Sequence, residues 1–392
     1  MSSTLTVRIA VPPLNICKYY VLTFLSYLDY SEIDNILFYK DKILIQPATA
    51  TNVNELFAEV ILIARDKLEK YYERNNRRVD IPGTGKNEQK GIFKTVKERL
   101  GLPEASTFID ALQAYAQRIR GYNLQDLMYS FASFGDGDIS LPSIFKPEHY
   151  ALSRAPFMKS KVPFKVGINL DYFMLLLAGY VLSRVGAVPY DVKGRRTEYQ
   201  TLHIFPYDIV VSPHQFSQLL DMLTPPESEE GGGQLTSRLP GLIPEEAVII
   251  WLSLIAPKDT PDIILMSMKD PRGQKPAEIG VSYHLPLRSF MARASQSLRK
   301  IKDDPRLTEI LRDILQNALR PVGPERMKIR ERAIEITKLL FLALQGAEKE
   351  RNELLLRTSR IEASKLLGGE GRDDEYWIVN KGRRIALATT PH

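Results

Sequence analysis

Residues 170–205 read LDYFMLLLAGYVLSRVGAVPYDVKGRRTEYQTLHIF. Tyr172 to Leu182 is the most apolar run of the chain, flanked by Asn169 and Asp171 on one side and Arg184 on the other. A helix needs roughly 20 such residues to cross a bilayer, so this run reads as a buried helix around Leu170 to Arg184. The pattern then changes. Ala187-Val188 and Tyr199 to Phe205 look like strands, joined through Lys193-Gly194-Arg195-Arg196. A β-hairpin with a basic tip is the simplest reading. The fold class expected is α+β.

Working toward the amino terminus, Phe134-Gly135-Asp136-Gly137-Asp138 is turn chemistry. Leu5 to Val11 alternates apolar and polar residues before Pro12-Pro13, as an opening strand does. Asn15 is placed to cap a helix through Leu28. Ile36 to Tyr39 and Ile43 to Ile45 flank Lys40-Asp41-Lys42 and predict a second hairpin. A long helix is expected from Asn54 to about Arg77, with Leu56, Val60, Ile63, Ala64, Lys67 and Leu68 at helical spacing. Val79 to Gly91 holds Pro82, Gly83 and Gly85 and reads as a loop. Two or three helices are expected between Ile92 and Ser130.

Toward the carboxyl terminus, Thr224 to Gly241 combines Pro225-Pro226, Glu227, Glu229, Glu230 and Gly231-Gly232-Gly233, the best exposed loop of the chain. A helix over Ala247 to Ile255 and short strands near Ile263–Met268 and Ile279–Tyr283 follow. The chain then turns helical to about Leu367, with Gly346 as the joint in the stretch Glu325 to Leu367. Tyr376 to Val379, Asn380-Lys381-Gly382 and Ile385 to Leu387 read as a closing hairpin. Four regions result: 1–130, mixed α/β; 131–243, mixed, with the loop 224–241; 244–367, helical and basic; and 368–392, a terminal β-hairpin.

Composition bounds the chemistry. The single cysteine, Cys17, excludes an internal disulfide and a Cys-based zinc or iron–sulfur site, and five histidines leave little for metal binding. Cys17 is expected to be a buried thiol, and His203 and His214 ordinary hydrogen-bonded histidines. The start of the chain lacks a signal peptide's basic and apolar regions, so a cytoplasmic protein is expected. Gly83-Thr84-Gly85-Lys86 fails as a phosphate loop, because Asp80 stands where the first glycine belongs and Asn87 where a hydroxyl belongs. The dinucleotide pattern fails at Glu88, Ser140 and Asp374, and nucleophile-elbow and zinc-helix motifs do not occur. Asp136 and Asp138, at i and i+2, form a possible divalent-cation pair that competes with the turn reading. No cofactor is called, and the chain is read as not an enzyme.

The cations are more informative. Net charge is +6 and the pI about 9.1. Lys275 to Lys365 holds 19 Lys/Arg against 12 Asp/Glu, and Arg65 to Arg99 holds 11 against 6. Helices with such a surplus attract polyanions without sequence preference. The candidate phosphate contacts are Arg299 and Lys300 together with Arg326, Lys328 and Arg330. The hairpin tips Lys193, Arg195, Arg196 and Lys381, Arg383, Arg384 present cations at turns, where guanidinium forks reach phosphates or base edges. A solvated helix face laced with i,i+4 pairs is the alternative for the helices.

Three features taken together resemble the large subunit of archaeal type I-A CRISPR interference (Cascade) complexes. They are an α/β amino-terminal half, a long proline-rich middle containing Ser130 to Pro142 (SFASFGDGDISLP), and a basic helical carboxyl-terminal part. The similarity is diffuse and rests on no catalytic motif. It implies a non-enzymatic component of an RNA-guided antiviral ribonucleoprotein, bound to guide RNA, target DNA and other interference-complex subunits. Such a component helps recognise and hold target DNA while a separate helicase–nuclease cuts. The competing readings are a metal-dependent enzyme using Asp136 and Asp138, and a protein–protein scaffold docking partners through the apolar Tyr172 to Leu182 helix.

Overall fold

The computed structural model describes residues 6–11, 14–48, 53–73, 86–122, 134–135, 137–145, 167–190, 198–207, 213–223, 244–269, 278–319, 327–356 and 373–389. β1 (Val7–Ala10), β2 (Ile33–Phe38) and β3 (Lys42–Pro47) form an antiparallel sheet in the order β1-β3-β2. The expected β2–β3 hairpin is present, with Leu37 opposite Leu44 and Phe38 opposite Ile43. In β3 the residues Ile43, Ile45 and Pro47 are buried and their neighbours half exposed, the period-two mark of a sheet covering a core on one face.

Helices Asn15–Leu25, Val53–Glu73, Lys86–Leu100 and Phe108–Arg120 share one hydrophobic core with this sheet. Leu14 holds the capping position of the first, so Asn15 lies in the first turn rather than capping it. Lys86–Leu100 starts inside the stretch expected to be a loop, because Phe93 and Val96 bury one helical face and the helix runs back from them. Residues 79–85 of that stretch, and 74–77 at the end of the helix expected before it, lie outside the described residues. A reciprocal cap starts Phe108–Arg120: Thr107 N–H donates to the Asp110 carboxylate at 2.7 Å, and Asp110 N–H to Thr107 Oγ1 at 3.3 Å.

β4 (Phe134–Gly135), β5 (Ile139–Ser140) and β6 (Gly167–Ile168) make a small sheet in the order β4-β6-β5, so the chain passes over β6 between Gly135 and Ile139. A Cβ on Gly137 would stand 1.8 Å from the Ile168 carbonyl carbon, and one on Gly167 1.8 Å from the Gly137 oxygen. The two glycines are there for this crossing of backbones. The turn reading is thereby specified: a crossover.

The centre of the molecule is the antiparallel sheet β10-β9-β8-β7, built from β7 (Arg184–Tyr190), β8 (Glu198–Pro206), β9 (Ile263–Lys269) and β10 (Glu278–Leu285). Along the central strands β8 and β9 both faces are buried. Phe205, Ile264, Met266 and Met268 pack into the first core, while Leu202, Ile204, Ile263 and Leu265 pack into the second. Strict alternation along β8 and β9 assigns each side chain to a layer. The β7–β8 hairpin is as expected, with Tyr190 opposite Glu198, but its tip with Lys193, Arg195 and Arg196 lies outside the described residues.

The helix Leu170–Ser183 runs into β7 and is capped by Asn169, whose side chain accepts from Tyr172 N–H at 3.0 Å. Every residue from Tyr172 to Ser183 is buried. The chain's own elements therefore cover this helix all round, in agreement with the buried-helix reading, and it offers no face for the partner docking of the competing scaffold reading. At Gly179 a Cβ would fall 2.1 Å from the Tyr20 carbonyl oxygen, so this glycine sets how closely the helix approaches Asn15–Leu25. Among the described residues no helix is long and apolar enough to cross a membrane.

The second core is helical: Pro213–Leu223, Glu245–Ile255, Leu287–Arg293, Ser295–Asp303, Pro305–Leu319, Met327–Leu344, residues 348–356 and Asp373–Ala388. Gly346, the expected joint, has φ +95°; its N–H donates to Ala343 O at 3.0 Å and Ala347 N–H to Leu342 O at 3.2 Å, closing Met327–Leu344 with a left-handed cap.

The expected terminal hairpin over 368–392 is wrong. Asp373–Ala388 is one helix, because Ile378, Val379, Gly382, Ile385, Ala386 and Thr389 repeat at helical spacing and are all buried. Gly382 is not a turn residue. A Cβ there would meet Ile336 Cγ2 at 2.7 Å, so its lack of a side chain lets this helix lie close to Met327–Leu344.

Candidate nucleic-acid interface

The two basic stretches behave differently. In and beside the amino-terminal one, several cations are engaged within the chain. Arg65 pairs with Asp66 and donates to Gln113 at 3.0 Å. Lys94 pairs with Glu98 at 3.8 Å, Arg99 with Asp138, and Arg120 with Glu55 at 2.6 Å. Lys97 donates to the Glu104 carbonyl and lies over the Phe93 ring, and Arg118 donates to the Arg99 carbonyl at 2.7 Å. Arg65, Arg118 and Arg120 tie one helix to another, while Lys94 pairs within its own helix.

The carboxyl-terminal helices differ. Leu287–Arg293, Ser295–Asp303 and Pro305–Leu319 follow one another almost without a break. Leu287, Phe290, Leu298, Ile301, Leu311, Ile314 and Leu315 face the core. Arg288, Arg293, Arg299, Lys302, Arg306 and Arg312 are exposed. Among the described residues the side chains of Arg288, Lys302, Arg306 and Arg312 make no ion pair, and Arg299 has only a 3.9 Å i,i+4 contact with Asp303. Of the four acids on these helices, Asp304 accepts from Arg306 N–H at 2.9 Å and Asp313 is held by Lys381 and by Asn317, while Asp303 and Glu309 are exposed. Desolvation draws the Lys302 ammonium down from its usual pKa. The result is a row of cations with few compensating carboxylates, the electrostatic arrangement that attracts phosphates.

Of the residues singled out from sequence, Arg299 belongs to this row and Lys300 is half buried beside it. Lys328 and Arg384 are exposed and make no ion pair among the described residues. Arg330 is half buried and donates to the Ala318 carbonyl at 3.4 Å, fixing the start of Met327–Leu344. Lys381 pairs with Asp313 and lies 4.5 Å over the Trp377 ring, so it ties the last helix to Pro305–Leu319 instead of standing at a tip. Arg383 is half buried on that helix. Arg326 lies outside the described residues. Arg288, Arg293, Arg306 and Arg312 were passed over because the sequence gives only the local density of charge. Their exposure follows from which helix face is apolar.

The remaining candidates are structural. Asp138 is bound to Arg99, Asp136 lies outside the described residues, and among the described residues no group of three or more His, Cys, Asp or Glu is placed to hold a metal ion. Cys17 is buried and donates to the Phe145 carbonyl at 2.9 Å. His203 is buried between Ser183 Oγ (2.9 Å from Nδ1) and Thr201 Oγ1 (3.2 Å from Nε2), and burial holds its imidazole well below the usual pKa. His214 is exposed and hydrogen-bonds Gln218. Lys67, on the helical face read as apolar, is buried and donates to the Leu182 carbonyl at 2.6 Å; desolvation lowers its pKa to about 8, against the pull of Asp221. Ile63, read as part of the same face, is instead exposed.

Residues 51–361 match the family model described as CRISPR-associated protein, CsaX. No curated protein matches. The matched span contains the exposed cation row and leaves out the β1-β3-β2 sheet and the last helix.

Proposed function

The chain belongs to the CsaX family of CRISPR-associated proteins, and from that premise we propose that it is a non-catalytic, nucleic-acid-binding subunit of an RNA-guided interference ribonucleoprotein, in the position of the large subunit of type I-A complexes. Its role lies in CRISPR defence. The observation that supports the finer reading is the row Arg288, Arg293, Arg299, Lys302, Arg306 and Arg312, exposed on consecutive helices whose opposite faces form the second core. Guanidinium and ammonium groups on a rigid helical bundle neutralise phosphates and release counterions, which gives affinity without sequence reading. Sequence discrimination then falls to guide pairing and to loops such as the β7–β8 tip. The metal-enzyme reading has no comparable support, since Asp138 is occupied by Arg99.

Guide RNA, target DNA and other interference-complex subunits are the partners this role requires. Purification of the chain from its native cells under gentle conditions, followed by mass spectrometry and RNA extraction, is expected to return short RNA and several further proteins. Recovery of the chain alone, free of nucleic acid, would refute the assignment.

A further inference from the structure

Tyr207 is the most exposed large apolar side chain among the described residues, at 56%. It follows the last residue of β8, and its N–H donates to the Asp262 carbonyl at 2.9 Å. Its ring rests against the imidazole of His284, with centroids 4.2 Å apart and the planes tilted by 35°. His284 lies in β10 opposite Ile264, which packs into the first core, so the imidazole stands on that face of the sheet. On this face β8 and β9 are covered, whereas Ser282 and His284 of the edge strand β10 are exposed. The first core stops short of the edge, and two rings in contact stand on the uncovered part. The surroundings are cationic. Asp262, whose carbonyl holds Tyr207, also accepts from Arg288 N–H through its carboxylate at 2.9 Å. Arg288 comes four residues after His284 and is the first cation of the exposed row. The aromatic pair therefore stands at the head of that row.

We propose that the Tyr207 ring stacks an unpaired nucleobase of a single-stranded nucleic acid whose phosphates lie on the row beginning at Arg288. This deepens the proposed function and rests on its reading of the row as a phosphate-binding surface. An aromatic face meets the π-face of any base, so the contact tolerates sequence. In a duplex the bases are stacked on one another and closed to such a ring, so the platform serves single strands and adds nothing for duplex. The juxtaposition decides the occupant: a flat aromatic surface beside a guanidinium matches a base and its own phosphate. The His284 imidazole holds the tyrosine ring in place before binding, which lowers the ordering cost of the contact. Base and phosphate are common to DNA and RNA, and both chemistries fit the stack.

The test compares the full chain with Tyr207→Ala and Tyr207→Phe by anisotropy at low salt. The probes are a DNA single strand, an RNA single strand of the same sequence, and the corresponding DNA duplex. Circular dichroism confirms that these substitutions at an exposed position leave the fold intact. Tyr207→Ala is expected to weaken single-strand binding about tenfold, within the range of one stacked base, and to bind duplex as wild type does. Tyr207→Phe keeps the ring and is expected to match wild type on every probe. A loss confined to single strands supports the stack, and the strand that loses more identifies its source. An alanine variant that binds both single strands as wild type does would overturn the proposal while leaving the phosphate row standing. Equal losses on single strand and duplex, or a phenylalanine variant as weak as alanine, would also overturn it. A wild type that binds neither single strand nor duplex would overturn it together with the proposed function.

Discussion

Gly179→Ala is expected to destabilise the protein by about 3 kcal/mol, at the upper end for an overpacked core. The added methyl would lie 2.1 Å from the Tyr20 carbonyl oxygen and 2.7 Å from its carbonyl carbon. Both are backbone atoms of a buried helix, so no side chain can turn aside. The two helices would have to separate around the aromatic cluster of Tyr20, Tyr180 and Phe145. Denaturant titration followed by fluorescence measures the loss. A variant as stable as wild type would show that the two helices do not meet at this glycine.

Stability is also expected to rise between about pH 8 and pH 10, and Lys67→Met is expected to abolish that rise. The Lys67 ammonium, buried under the Leu182 carbonyl, has a pKa of about 8 in the folded chain against the ordinary 10.5. Between these values the unfolded chain binds the extra proton, so raising the pH favours the folded state. The full window corresponds to about 3 kcal/mol. Below pH 8 both states are protonated and Lys67 gives no pH dependence. The buried phenols Tyr20, Tyr115 and Tyr172 have raised pKa values, so their effect has the opposite sign and begins near pH 10 as the unfolded chain ionises. Comparing wild type and variant at pH 7.5, 8.5 and 9.5 isolates the one group. Parallel curves would contradict the buried ammonium.

Local signals were legible in the sequence. The β2–β3 and β7–β8 hairpins, the apolar Leu170–Ser183 helix and the Gly346 joint each depend on residues close in the chain. Asp373–Ala388 was missed because Tyr376 to Val379 is rich in strand-formers and Lys381-Gly382 looks like a turn. What decides it is a partner surface, Ile336 and Leu354, that only folding brings beside Gly382. Ile63 and Lys67 both fit one helical stripe in the sequence, yet only the lysine is buried, where the Leu182 carbonyl accepts from it, while Ile63 is exposed. The cation density near Arg299 and Lys328 was legible. Which cations are spent on internal pairs, as Lys381 is on Asp313, was not.

The central claim is that the row on Leu287–Arg293, Ser295–Asp303 and Pro305–Leu319 meets phosphates. Binding of duplex DNA to wild type and to a fourfold variant, Arg299→Ala with Lys302→Ala, Arg306→Ala and Arg312→Ala, measured by anisotropy across a series of salt concentrations, tests it most directly. These side chains are exposed, so the fold is expected to survive, with each change worth about half a kcal/mol or less in stability. Wild-type affinity is expected to fall steeply with salt. The variant is expected to bind more weakly on every sequence, with a log–log slope shallower by roughly 3–4, about 0.9 for each phosphate contact removed. A folded variant that binds with the affinity and slope of wild type would contradict the account.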